Sequence, residues 1–213
     1  MKFVAGIERL MVGPLQSNCY IVWDENSLEA MVVDPGAEPL KIMRKIKERG
    51  LKVSHVVCTH GHFDHIGALS VIKAETGAKI AVGGEDVPLY MHARDQAAAW
   101  GFSVEQPPAP DLLLKEGQDL TIGGLIFKIL ETPGHSPGGI CLYNLQQAIL
   151  FTGDTVFAGS VGRTDFLGGD SEKLKESFAR IISLPPDVRV LPGHGDESTI
   201  GEEIKSNFFV HEL

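Results

Sequence analysis

The chain has 213 residues, 43% of them hydrophobic, enough for one sizeable core and too few for two ordinary domains with a linker, so a single domain over residues 1–213 is expected. Its 19 basic and 28 acidic side chains leave a net charge of -9 without a basic stripe to collect phosphates, which argues against nucleic acid or an anionic membrane as the main partner. Three cysteines, Cys19, Cys58 and Cys141, form no C-x-x-C pair, so neither a disulfide framework nor a cysteine zinc site is indicated, and a reducing cytoplasm is the expected setting.

The opening stretch MKFVAGIERLMVGPL places Glu8 and Arg9 where a signal peptide needs its apolar run, so no leader is expected, and no segment approaches the roughly 18 apolar residues that span a bilayer. Residues 18–23 (NCYIVW) and 30–33 (AMVV) read as strands, the second ending at the turn Asp34-Pro35-Gly36. A helix follows, with Leu40, Ile42, Met43 and Ile46 as its apolar stripe and Gly50 as its stop. Residues 53–58 (VSHVVC) read as a buried strand and 66–76 as a helix closed by Gly77. Residues 95–112, with the run QPPAP, form the one long irregular stretch, a flap or a surface connection. Residues 119–131 make a hairpin around Gly123-Gly124, and 139–151 hold two short strands, ICLY and AILF. Ser171 is placed to cap a helix carrying Leu174, Phe178 and Ile181, and VRVL at 188–191 is a last strand. Thr199 with Glu202 forms a capping box ahead of Ile200, Ile204 and Phe208. Strand-rich blocks flanked by helices point to an α/β fold of two sheets packed face to face with helices outside, a four-layer αββα sandwich.

Between the strand at 53–58 and the helix after it lies THGHFDHI, which puts His60, His62, Asp64 and His65 within six positions. In an extended loop, residues two apart project to the same side, so His60 and His62 can share one ion while Asp64 and His65 turn toward a neighbouring point. A chance cluster on a solvated loop would need neither that order nor a buried strand to hold it. Three further fragments, TPGHSPGG with His135, FTGDT with Asp154 and LPGHG with His194, each set one donor beside glycine just after a strand. Taken singly these are ordinary turns; jointly they favour a metal site. His55, His92 and His211 stand alone and read as ordinary polar residues.

The motif T-H-x-H-x-D-H at 59–65, followed in order by TPGHSPGG, FTGD and PGHG, resembles the metallo-β-lactamase superfamily over nearly the whole chain. The resemblance implies that His60, His62 and His135 hold one metal, that Asp64, His65 and His194 hold a second, and that Asp154 bridges them, with Asp64 and Asp154 as the catalytic carboxylates. It implies seven ligands from five strand ends. Aspartate at the bridging position resembles glyoxalase II-like thioester hydrolases more than true lactamases, and His62 sets the chain apart from the flavo-diiron branch. GSVGRTDF at 159–166, GGD at 168–170 and PGHGDEST at 192–199 resemble the compact, single-domain bacterial members. Two-domain glyoxalase II enzymes hold glutathione partly through a helical domain, whereas here 19 residues follow His194 (213 minus 194), leaving the glutathione part without an obvious anchor.

Two divalent ions at such a site share a water, lower its pKa from about 15.7 toward 7 and polarise a carbonyl, and a thiolate of pKa about 8.5 leaves without strong acid help. Nitrogen and carboxylate donors favour zinc but accept iron or manganese. The expected partner is a small-molecule thioester, with the protein a monomer or homodimer. Arg163, on a glycine-flanked loop, either grips a substrate carboxylate or braces the loop through Asp165 or Asp170, and the three cysteines are core residues. Two other readings stay open. GRTDF also resembles persulfide dioxygenases of the same superfamily, which hold a single iron on the equivalents of His60, His135 and Asp154, and a non-catalytic metal-binding module would keep the ligand set for stability alone.

Overall fold

Strict alternation along the strands decides the layering. In β2 (Ser17–Asp24), Cys19, Ile21 and Trp23 join one apolar cluster while Tyr20 and Val22 join another, so both faces of the strand are buried. The structure is a computed structural model that describes residues 4–213; the first three residues of the stretch read as lacking a leader lie outside the described residues.

One sheet runs in the order β1 (Ala5–Val12), β2, β3 (Glu29–Val33), β4 (Lys52–Cys58), β5 (Lys79–Gly83) and β6 (Leu112–Leu114). It is antiparallel from β1 to β3 and parallel from β3 to β6. The first crossover is α1 (Pro39–Glu48), and the second carries α2 (Phe63–Ile66) and α3 (Leu69–Thr76). Helices α4 (Val87–Met91) and α5 (Ala93–Ala99) follow β5. The second sheet runs β7 (Asp119–Ile122), β8 (Leu125–Glu131), β9 (Ile140–Asn144), β10 (Ile149–Gly153), β13 (Arg189–Pro192) and β14 (Ser198–Thr199), with β10 and β13 parallel. A small ribbon of β11 (Val156–Phe157) and β12 (Ser160–Val161), then α6 (Ser171–Ile182) and α7 (Ile200–Ser206), complete the elements.

Three apolar layers hold the four structural layers together. Ile42, Met43, Ile46, Leu69 and Ile72 pack helices on the first sheet. Tyr20, Met31, Val57, Phe127, Phe151 and Leu191 fill the space between the sheets, and Leu150, Val190, Phe178 and Ile181 join the second sheet to α6. Phe127 and Phe151 have no exposed surface, so truncating either to alanine is worth about 3–5 kcal/mol. The αββα sandwich is the fold of the protein, and no described helix is long and apolar enough to cross a membrane.

Several local expectations are corrected. The helix anticipated over 66–76 is two pieces, because Ala68 N–H donates to Pro35 O (2.9 Å) and a Cβ on Gly67 would lie 2.4 Å from Gly36 O; the chain is pinned against the 34–36 turn instead of continuing its spiral. Leu40 is 80% exposed and outside the stripe of α1. Asp170, not Ser171, caps α6, its carboxylate accepting from the N–H groups of Glu172 and Lys173. The capping box at Thr199 is present, but α7 buries Ile200 and Glu203 and leaves Ile204 and Phe208 exposed. Strands β1 and β5 and helices α4 and α5 were not anticipated, and α5 takes the first part of the stretch 95–112. The seven donors follow four strands, β4, β8, β10 and β13, rather than five.

Candidate metal centre

At the carboxyl ends of those four strands the seven donors converge. His62 Nδ1 lies 2.9 Å from His135 Nε2, and with His60 these form one group whose donor atoms lie within 4.8 Å of one another. His65 Nε2 lies 3.2 Å from His194 Nε2, and Asp64 Oδ2 lies 3.5 Å from the first and 3.2 Å from the second, forming another such group. Asp154 stands between them: Oδ2 is 3.5 Å from His135 Nε2 and 3.7 Å from His194 Nε2, and Oδ1 is 3.5 Å from His65 Nε2.

The ring orientations follow from partners behind the histidines. Thr59 donates its only hydroxyl hydrogen to Asp34 Oδ2 (2.6 Å), so its Oγ1 accepts from His60 Nδ1 (3.1 Å), which leaves the lone pair of His60 on Nε2. His65 Nδ1 donates to Asp34 Oδ2 (3.1 Å), and His135 Nδ1 donates to the Arg163 carbonyl (2.7 Å). Each of these three rings therefore turns its Nε2 into the cluster, where it presents a lone pair whenever the ring is neutral. Among the described residues, His60 Nε2 and Asp154 Oδ1 are buried without a hydrogen-bond partner. Lone pairs outnumber protons at this point, an excess that a cation relieves, and the nitrogen and carboxylate donors suit zinc, iron or manganese.

Electrostatics divide the cluster in two. Burial, reinforced by the surrounding histidines, holds His60 well below the usual imidazole range, and burial with His135 lowers His62 to about 4. Burial acts against charge on His65 too, but the carboxylates of Asp154, Asp64 and Asp34 outweigh it and raise His65 to about 10. His194 is raised likewise, by Asp64 and Asp154 against burial, and the same histidines hold Asp64 below the carboxylate range although burial pushes the other way. His60 and His62 are thus held neutral, whereas the half around His65 and His194 is rich in carboxylates whose charge a cation or a proton must meet.

Two carboxylates that the sequence did not single out hold the donors in place. Asp34, seen only as part of a turn, has φ 51° and accepts from Thr59 N (2.7 Å), Thr59 Oγ1 and His65 Nδ1, so it orients His65 directly and His60 through Thr59. Asp86, fully buried in the short 3₁₀ turn after β5, accepts from Gly61 N (2.8 Å), Ser136 Oγ (2.7 Å) and Gly138 N, tying the His60/His62 loop to the His135 loop. The signal for Asp34 was an aspartate closing a β-rich run before Pro35-Gly36; for Asp86 there was none. Ser17 adds a hydroxyl bond to Asp64 Oδ2 (3.1 Å). Gly193 gives clearance, since a Cβ there would fall 2.2 Å from Asp154 Oδ1.

Arg163 meets the cluster through its carbonyl. Its guanidinium makes two 2.6 Å bonds to Asp165 and lies 4.0 Å above the Phe166 ring, the arrangement of the bracing alternative. His55, His92 and His211 stand outside the cluster: His55 contacts Ser54, His92 bonds Pro88 O, and His211 is exposed. All three cysteines are buried.

A family model described as the metallo-β-lactamase superfamily matches residues 12–194. Hydroxyacylglutathione hydrolase GloC of Haemophilus influenzae is 36% identical, the alignment covering 96% of this chain and 98% of that protein. Among solved structures, a protein named TTHA1623 in a di-iron-bound form is 39% identical with a TM-score of 0.89, covering 95% of this chain and 99% of its own. The BLEG-1 B3 metallo-β-lactamase is 32% identical with a TM-score of 0.90, covering 96% and 99%. ETHE1 from Myxococcus xanthus is 26% identical with a TM-score of 0.81, covering 100% of this chain and 85% of its own.

Proposed function

The chain belongs to the metallo-β-lactamase superfamily, a family of metallo-hydrolases and related enzymes that bind divalent metals, and from that premise we propose that it is a two-metal thioester hydrolase of the glyoxalase II kind. The observation that carries this reading is Asp154, whose two oxygens face both donor groups at once. His60, His62 and His135 would hold one ion, Asp64, His65 and His194 the other, and Asp154 both, with zinc favoured and iron or manganese compatible. Ions held there would supply Lewis acidity, for activating a water and polarising a carbonyl.

The remaining work belongs to the chain. Asp34 and the Arg163 carbonyl fix the imidazole rings, so the donors need no rearrangement when charge develops at the substrate. Ser17 Oγ steadies Asp64, and Gly193 keeps a side chain off Asp154. Burial of His60, His62 and His65 limits water around the reacting bond. None of the cysteines serves as a nucleophile: Cys19, Cys58 and Cys141 are buried, and burial pushes each thiol up, away from thiolate. A thioester suits such a site because its thiolate departs without a strong general acid.

The likeness to ETHE1 and the GRTDF segment support a second reading, a mononuclear-iron persulfide dioxygenase using His60, His135 and Asp154. The Asp64, His65 and His194 group weighs against it, because those donors would have no ion to hold. The test is metal counted per chain in natively purified protein, with thiol release from S-lactoylglutathione and oxygen uptake with glutathione persulfide measured on the same preparation. Two ions with thiol release support the hydrolase; one iron with oxygen uptake and no thioester cleavage replaces it with the dioxygenase.

A further inference from the structure

Beside Asp64 the surface opens into a depression of about 110 Å³. Its walls are Val12 and Leu15 from the β1–β2 hairpin, Ala37 from the turn after β3, Phe63 at the start of α2, and Phe102 and Val104 from the irregular stretch after α5. The Phe63 and Phe102 rings, both in its lining, stand 5.7 Å apart. Gly13 is left-handed, at φ 69°, and a Cβ there would come within 3.0 Å of the Ala37 methyl, so glycine keeps the hairpin off this wall. Among the described residues lining it there is no cation, and its one charged group, Asp64, already accepts from Ser17 and lies 3.2 Å from His194.

We propose that this depression is an acyl pocket, selecting thioesters of short, unbranched, apolar acyl chains of about four carbon atoms. The inference rests on the thioesterase reading and names the substrate class within it. Size and polarity assign the pocket to the acyl side. A cavity of about 150 Å³ holds benzene, so by proportion 110 Å³ holds about four carbons, far less than a charged tripeptide or nucleotide thiol. Apart from Ser17, whose hydroxyl already donates to Asp64, and Ser103, its lining side chains offer no donor for such a carrier's amides and carboxylates, which would be buried at a cost. A chain running past Asp64 from a carbonyl at the donor cluster would meet mostly the methyl, methylene and aromatic surface of Val12, Leu15, Ala37, Phe63, Phe102 and Val104.

Each methylene buried there is worth about fourfold in binding. For metal-loaded protein and one fixed thiol, kcat/KM is expected to rise about 15-fold from acetyl to butyryl and to stop rising at hexanoyl. Val104→Trp, and independently Leu15→Trp at the exposed hairpin turn, fill the space and flatten that series to within about threefold. Leu145→Trp, on the distant β9–β10 turn, keeps the full rise. A second readout needs neither metal nor turnover: titration of metal-free protein with 1-butanol should shift the methyl resonances of Val12, Leu15, Ala37 and Val104, and leave those of Leu145 in place. A flat series in a protein that cleaves acetyl thioester overturns the pocket whatever the titration shows, as does a rise that survives both tryptophan substitutions. If no thioester is cleaved, the functional reading fails and the titration decides alone: shifted methyls keep an apolar ligand pocket at this place, and silent methyls remove it.

Discussion

Replacing Asp86 with alanine tests the claim that one buried carboxylate holds two metal-binding loops together. The side chain has no exposed surface, and burial raises its pKa against three hydrogen bonds that lower it, so the site tolerates the carboxylate only because Gly61 N, Ser136 Oγ and Gly138 N are aimed at it. Alanine leaves those three donors in a dry pocket. A hydrogen bond to a charged group is worth about 1.5–3 kcal/mol, but water entering the vacated space offsets part of the loss, so the net destabilisation is expected at about 3–5 kcal/mol. For a chain of this length that is a fall in Tm of about 6–20 °C. Asp86→Asn retains two of the three bonds if its carbonyl takes the place of Oδ2, and should lose about 1–3 kcal/mol. The sharper consequence is local: Gly61 separates His60 from His62 and Ser136 follows His135, so affinity at that group should fall about 10–100-fold while the Asp64, His65 and His194 group changes far less. Urea unfolding of metal-free protein gives the stability term, and chelator competition, resolved into two ions, gives the affinities. An alanine variant within 1 kcal/mol of wild type, or one that weakens both ions equally, would refute the bracing argument.

Asp34→Asn should weaken both ions, because Asp34 orients His65 directly and His60 through Thr59; a chelator titration in which either affinity stays at wild type contradicts that double role. His135→Ala and Asp154→Ala should abolish thioester hydrolysis and lower the metal count per chain, and full activity in either variant removes the proposed site. Gly193→Ala places a methyl where Asp154 Oδ1 now lies, so it should lose metal while keeping far-UV circular dichroism; retained stoichiometry shows that the bridging carboxylate has room to move. Arg163→Ala should leave metal content intact, since the bond to His135 comes from the backbone carbonyl, and KM on anionic against neutral thioesters reports whether the guanidinium leaves Asp165 to meet a substrate.

The donor types were legible in the sequence because metal chemistry is local: imidazoles and a carboxylate one to five positions apart, behind a buried strand and beside glycine, describe a liganding loop without reference to the rest of the chain. The two amphipathic helices α1 and α6 likewise announced the outer layers, since burial on one face leaves a period in the sequence, and short β-rich apolar runs marked strands between them. Strand β5 (KIAVG) has neither a period nor more than three apolar residues in a row, and it went unseen. Asp34 was explained too early: an Asp-Pro-Gly turn accounts for the residue by itself, and only the approach of Thr59 and His65, 25 and 31 positions away, gave the carboxylate its task. Asp86 and the depression beside Asp64 belong wholly to tertiary structure. Each is assembled from segments with no local relation, β5 with the His135 loop, and the first hairpin with the stretch after α5. A hydrogen bond or a cavity wall depends on where backbones meet in space, and chain packing alone sets that.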